Sequence, residues 1–312
     1  MSKDSGKLIA AIEAVPLTLL LSIGFLWWAG WPGIATGDGG DPPLYSISVS
    51  SSEELKAEFE ERDYFWPSED NVPPVAVYPM PADFGSIDPE LRKSLFFRAM
   101  LPIVLAENER IEAQRRQLMM ALDNNMSESR RLVLITELAE EYRVEGDPLA
   151  PETWQALRQR VDTVPVALAL AQAAKESGWG TSRFAREGNN FFGQWTWDAS
   201  IGIAPEDRPE GATHYVRAFK SPRDSVRSYM RNLNSHDAYE RFRILREQSH
   251  QRGTTMSPIA MTVGLNRYSE RGYDYVEEIR NLITANRLVE VTAELALIDP
   301  ATRSGRRELA LR

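Results

Sequence analysis

Across residues 88–287 the apolar residues of this chain recur at helical spacing, and one stretch alone, residues 191–219, reads as extended. Side chains three and four apart share a helix face, so this pattern gives each helix one apolar stripe and commits the chain to helix-on-helix packing. Asp88-Pro89-Glu90 supplies an N-cap and a proline at the first helical position. Leu91, Leu95, Ala99, Ile103, Ile111, Leu118 and Leu122 continue that helix, with Pro102 expected to kink it. Further helices are expected over 129–142, 151–161, 165–177, 224–234, 239–251 and 273–287. The extended stretch holds FFGQWTW and THYVRAF, joined by a polar loop rich in Gly and Pro. The expected fold class is mainly α, with a small β element.

Nothing covalent staples such a fold, because the 312 residues include no cysteine. Disulfides, Cys-ligated zinc, iron–sulfur clusters and thiol nucleophiles are excluded together. The formal charge of −9 excludes a general binder of phosphate backbones, so no nucleic-acid partner is expected. That charge is unevenly placed. Residues 160–290 hold 18 basic and 16 acidic side chains, so the acidity belongs to the flanks. Within 160–290 Arg outnumbers Lys 16 to 2, a bias suited to planar recognition of carboxylates as well as to surface ion pairs.

Residues 15–34 carry no formal charge, and at ~1.5 Å per helical residue they match a hydrocarbon core of roughly 30 Å. Trp27, Trp28 and Trp31 gather at the far end, while Lys3 and Lys7 precede the run. The expectation is a short cytoplasmic segment (1–14), a transmembrane signal-anchor (15–34) in the inner membrane, and a body in the periplasm. The alternative is a cleaved signal and a secreted periplasmic protein. Residues 35–84, rich in Gly, Pro and Ser, read as a linker with one short helix near 53–62. Residues 85–160 read as a helical segment packed on the region 161–290, followed by a tail, 291–312.

The chemistry concentrates in PVALALAQAAKESGWGTSRFAREGNNFFGQW, residues 165–195. Small apolar residues allow close helix packing, and Ser177-Gly178-Trp179-Gly180 must end the helix. Glu176 therefore sits in the last turn, where the helix dipole and the neighbouring Trp179 would both raise its pKa. A carboxyl kept protonated near neutral pH is the general acid that glycosidic cleavage needs. On spacing alone Glu176 is equally a solvated helix-end residue, and Asn189-Asn190 and Gly193 suit tight turns.

The ordered string Ala171-Gln172-Ala173-Ala174-Lys175-Glu176-Ser177-Gly178-Trp179-Gly180, followed by Asn189-Asn190-Phe191-Phe192-Gly193, resembles the glucosaminidase family of peptidoglycan hydrolases. Its Bax-type bacterial subgroup is similar in Gly193-Gln194-Trp195, in Arg227-Ser228-Tyr229 to Asn232-Leu233-Asn234, and in Arg267-Tyr268-Ser269-Glu270-Arg271-Gly272. The resemblance covers about residues 85–290. It implies a lysozyme-like α+β fold, with a helical lobe and a small β-hairpin lobe facing across a sugar cleft. It also implies hydrolysis of β-1,4 bonds after N-acetylglucosamine in peptidoglycan glycan strands.

By the same resemblance Glu176 is the general acid and Tyr268 lines the cleft, although Asn266-Arg267 before that tyrosine departs from the family's pattern and leaves core packing open. Trp179, Asn190, Phe192 and Trp195 fall near the substrate, where Asn190 and Phe192 either touch sugar or hold the turn. Asp198, Glu206, Asp207 and Glu210 are the candidates for a second acid, and none falls in a matched motif. His214, His236 and His250 form no metal-ligand spacing, so neither metal nor other cofactor is implied. A lytic transglycosylase and a non-catalytic peptidoglycan-binding protein remain the alternatives.

Overall fold

The computed structural model describes residues 40–69, 72–123, 125–206 and 213–298. Its elements lie in the second of the chain's two compact units, Asp41–Arg312. Residues 15–34 are outside the described residues; among the described residues no helix is long and apolar enough to cross a membrane.

Strand β1 (Tyr45–Ile47), helix α1 (Ser52–Glu60) and strand β2 (Val75–Val77) come first, with β1 and β2 parallel in the register Tyr45↔Val75, Ile47↔Val77. The Ser51 hydroxyl accepts from the amide of Glu54 and starts α1 where the expected short helix falls. Leu55 and Phe59, four apart on α1, are fully buried in the same core as Val75, Val77 and Phe97. Trp66 stacks on Phe97 with centroids 4.7 Å apart. The linker expected over 35–84 is thus corrected for residues 41–84, which are part of the body. Proline blocks helix and central strand, but it does not stop a three-residue strand from pairing with a partner some thirty residues away, and so short a strand shows no alternation to read.

Helix α2 (Pro89–Leu122) runs 34 residues and continues through Pro102. Asp88 caps it, its Oδ1 accepting from the amides of Glu90 at 2.9 Å and Leu91 at 3.1 Å. From Leu95 to Asn108 every residue of α2 is buried, because β2, α5 and α7 wrap it. Its far end joins a smaller core with α3 (Glu128–Tyr142) and α4 (Pro151–Arg160), built on Leu118, Ile135, Leu138 and Leu157. Helix α5 (Val166–Ser177) packs between α2 and α10 (Tyr273–Ala285); its fully buried alanines at 167, 169, 171, 173 and 174 let the backbones come close.

After α6 (Arg183–Gly188) the chain forms β3 (Trp195–Thr196), β4 (Gly202–Ile203) and β5 (Tyr215–Arg217). These make an antiparallel sheet in the order β3-β5-β4, with Trp195↔Val216 and Ile203↔Val216 in register. The expected hairpin is therefore a three-stranded sheet, its added strand drawn from the polar loop. Helices α7 (Pro222–Ser235), α8 (Glu240–Gln251), α9 (Pro258–Met261), α10 and α11 (Leu288–Val291) complete the helical part. The start of the expected tail returns to the body: the amide of Ile298 donates to the carbonyl of Val72 at 2.9 Å.

One buried carboxylate ties α2 to α7. Glu107 is fully buried and receives Arg110 Nε at 3.0 Å, Arg223 Nε at 2.5 Å, and Arg227 Nε and Nη2 at 2.8 Å. Arg227 also pairs with Asp41 at 2.6 Å, and Arg223 donates to the carbonyl of Pro42 at 2.7 Å, so the first residues of the body join the same knot. Burial alone would raise the Glu107 pKa, but the Arg227 hydrogen bond and the charges of Arg110, Arg227 and Arg223 hold it at about 2. A depressed folded pKa contributes stability that is present above the unfolded carboxyl value and is lost as pH falls through the folded one. Thermal stability should therefore decline between about pH 4.5 and about 2, and Glu107→Gln should cost about 3–5 kcal/mol in denaturant titration by leaving buried arginines uncompensated.

Candidate active site

Helix α5 ends at a left-handed Gly178, whose amide reaches back to the carbonyls of Ala174 and Lys175. This stop leaves Glu176 on the last turn, partly buried, at the wall of a cleft of about 350 Å³. Phe192, Gly193, Gln194 and Trp195 form one side of the cleft, and Tyr239 and Tyr268 another. From α7 come Ser228, Arg231, Asn232 and Ser235, the polar face of a helix whose other face buries Val226, Tyr229, Met230 and Leu233.

Burial raises the pKa of Glu176; the Tyr275 hydrogen bond and the Lys175 charge pull it down, and Glu278 adds to the rise. The expected direction stands, with burial as its largest cause. Gln172, one helical turn before Glu176, sets the polarity of the contact. Its Oε1 accepts from the Tyr229 hydroxyl at 2.7 Å and its Nε2 donates to the Tyr275 hydroxyl at 2.9 Å. The Tyr275 proton is then left to face the Glu176 carboxyl, whose pKa the tyrosine lowers. Burial also pushes the phenols of Tyr229, Tyr268 and Tyr275 upward, so they remain neutral donors beside the acid. Gly193 has φ +64°, and a Cβ there would stand 3.3 Å from Glu176 Oε2; the turn brings bare backbone against the carboxyl.

The structure brings Glu176, Phe192, Trp195 and Tyr268 to one cleft, with distinct tasks. Tyr268 donates to the carbonyl of Phe192 at 2.9 Å and stacks on Tyr275 with centroids 5.4 Å apart. Phe192 is buried and stacks on Tyr229 at 3.9 Å, so its ring faces the core. Asn190 is buried and holds the turn: it donates to the carbonyls of Gln194 and Arg217 at 2.8 Å and accepts from the amides of Phe192 and Gln194. Trp195 keeps 52% of its surface exposed at the cleft wall, with His214 edge-on at 4.5 Å. Trp179 is a correction. It packs edge-to-face on Phe96 and Phe97 and lines a different depression, with Lys175, Glu278 and Leu282, because its own backbone turns left-handed at φ 59°.

No second carboxylate lines the cleft among the described residues. Asp198 caps its own 3-10 turn through Ser200, and Glu206 pairs with Arg183 at 3.3 Å. Asp207 and Glu210 lie outside the described residues. His236 caps Ala238, His250 pairs with Asp162 at 2.7 Å, and no group of three or more His, Asp or Glu among the described residues could hold a metal. Sequence reasoning assigned no role to Gln172, Tyr239, Tyr275 or the cleft arginines Arg143, Arg217 and Arg231. Of these, Gln172 carried a signal, since its spacing of four from Glu176 puts both on one helix face.

With this geometry in hand, the comparisons fall into place. A family model described as glucosaminidase, mannosyl-glycoprotein endo-beta-N-acetylglucosaminidase, matches residues 151–288. The chain is similar to Protein bax of Escherichia coli (strain K12), with 32% identity over 185 residues, covering 59% of this chain and 66% of that protein. The alignment thus spans just under two thirds of that relative's length. No solved structure matches significantly. Residues 151–288 fall in the glucosaminidase family, and the chain is similar to a Bax-type protein over 185 residues. The family match includes α5, the Asn190 turn, α7 and Tyr268, the elements that build the cleft.

Because the Tyr275 hydroxyl favours the ionised form of Glu176, Tyr275→Phe should move the Glu176 carboxyl titration, followed by carbon-13 NMR, to higher pH. The same substitution should cost about 1–3 kcal/mol, since it leaves the Gln172 amide short of a partner.

Proposed function

We propose that the protein hydrolyses β-1,4 glycosidic bonds after N-acetylglucosamine in peptidoglycan, with Glu176 as general acid. The observation that carries this reading is a carboxyl group at a cleft wall, the one acid there among the described residues, raised in pKa by burial and faced by Tyr275, whose hydroxyl Gln172 engages. The family match over residues 151–288 supports a glycosidase.

The Glu176 proton passes to the leaving-group oxygen as the C1–O bond breaks. As nucleophile at C1 we propose the substrate's own 2-acetamido oxygen, attacking from the opposite face. The resulting cyclic intermediate opens when water adds to C1 and Glu176, now ionised, takes the water's proton. Tyr268 acts at one remove, by holding the Phe192 carbonyl and so the turn that carries Gly193 against the acid. Trp195 offers the exposed aromatic face on which a sugar ring stacks.

A lytic transglycosylase shares a lone acid but cuts after muramic acid, whose 6-hydroxyl displaces its own acetamido oxygen from C1 while the acid's carboxylate takes the hydroxyl proton. Mass spectrometry of released fragments separates the two: reducing N-acetylglucosamine ends support hydrolysis, and anhydro-muramic ends support the transglycosylase. Wall binding with no released product would favour a non-catalytic binding protein. We further propose that residues 15–34 anchor the body on the periplasmic face of the inner membrane; recovery of the full chain in the soluble fraction after a detergent-free, high-salt wash would count against it.

Glu176→Gln should abolish clearing of cell walls in a renaturing gel while circular dichroism stays unchanged. Activity should fall as pH rises through the raised Glu176 pKa, on the alkaline side of an ordinary carboxyl. A buried acid with a raised pKa weakens the fold as it ionises, so Glu176→Gln should also raise Tm at pH 7, and the gain should vanish below the ordinary carboxyl range.

A further inference from the structure

Three arginines from three separate elements line the Glu176 cleft: Arg143 at the C-cap of α3, Arg217 at the end of β5 and Arg231 in α7. Elsewhere in the body arginines are matched to carboxylates, as Arg110, Arg223 and Arg227 are on Glu107. These three have no carboxylate at ion-pair distance among the described residues. The nearest acid to influence Arg231, Glu141, is taken by Arg110 at 3.0 Å and by Gln114 at 2.6 Å. Burial first, and then the charges of Arg143, Arg217 and Arg110, push the Arg231 pKa down. Such a gathering of like charge costs stability that an anion in the cleft would return.

A second observation comes from polar atoms. Arg217 Nε and Ser235 Oγ, both donors, are buried, belong to residues lining this cleft and have no hydrogen-bond partner; Gln194 Oε1, also without one, is an acceptor suited to a sugar hydroxyl rather than to the anion. Beyond Arg217 and Arg231 the cleft continues into a depression of about 370 Å³ that also meets Lys220 and Arg227. Its one acid, Asp224, accepts from the Ser221 hydroxyl at 2.9 Å.

We propose that Arg217 and Arg231, backed by Arg143, bind a carboxylate of the substrate, so that the cleft selects anionic glycan strands over neutral ones. A guanidinium fork matches the two oxygens of a carboxylate in plane, whereas neutral hydroxyls would leave the charge uncompensated. The carboxylate belongs to the attached peptide or, on muramic residues without peptide, to the lactyl group that the peptide would otherwise cap as an amide. This rests on the glycan-cleaving reading above.

The test is the affinity of the full chain for peptidoglycan strands and for the same strands with their carboxylates converted to amides, alongside cleavage of both. Native strands should bind at least about tenfold more tightly, the preference should shrink with added salt, and Arg217→Gln/Arg231→Gln should bring the ratio close to one. Two strands locate the source: a preference shown by fully peptide-bearing strands, whose lactyl groups are all amides, assigns the peptide, and one shown only by stripped strands, whose lactyl carboxylates are free, assigns the lactyl group. Equal affinity for native and amidated strands, with both still cleaved, overturns this inference and leaves the glycosidase reading standing. Absence of cleavage and of binding for either strand overturns both.

Discussion

Glu107 is the constraint on which the site depends. A fully buried carboxylate on α2 would be untenable alone, and it is sustained by guanidinium groups from α2 itself and from two turns of α7. Fixing Arg223 and Arg227 orients α7 so that Val226, Tyr229 and Leu233 enter the core, while Ser228, Arg231 and Asn232 face the cleft. The same knot takes in Asp41 and Pro42, so the first described segment and the cleft wall share one electrostatic support.

The acid is prepared by a different network. Gln172, Tyr229 and Tyr275 form a chain of buried hydrogen bonds whose Tyr275 end acts on the Glu176 carboxyl, and Phe192 and Tyr268 hold the opposing turn through stacking and one carbonyl contact. Burial raises the carboxyl's pKa and the Tyr275 hydroxyl tempers the rise. The rigidity of the aromatic layer keeps these distances fixed. Rigidity of that kind also explains why a glycine is needed at 193: any side chain would enter the space beside Glu176 Oε2.

Much of the helical fold was legible in the sequence. The capped start at Asp88, the glycine stop after Ser177 and the helix near residue 53 depend on local rules, and each falls where expected. The strands were less legible. β1 and β2 are three residues each and pair across α1, and β4 is two residues inside a polar loop, so none carries a periodic signal. The spacer reading of residues 41–84 failed for the same reason, since the apolar side chains of Leu55, Phe59 and Tyr64 find their partners on α2, far along the chain. Helix α2 itself exceeded its stripe: Phe96, Met100 and Val104 are as buried as Leu95 and Ala99 because neighbours cover it on all sides.

For the site, the sequence by itself determined where the Glu176 carboxyl lies, because a helix that must end at Gly178 leaves it on the last turn. The tertiary structure alone decided what surrounds that acid. It packed Trp179 against the core, gave Asn190 the turn to hold, set Tyr275 behind the carboxyl, and brought three arginines from distant segments to the cleft. Local backbone rules act over a few residues and can be read in order. Burial, charge matching and stacking act between residues a hundred positions apart, as between Gln172 and Tyr275, and exist only once the chain has folded.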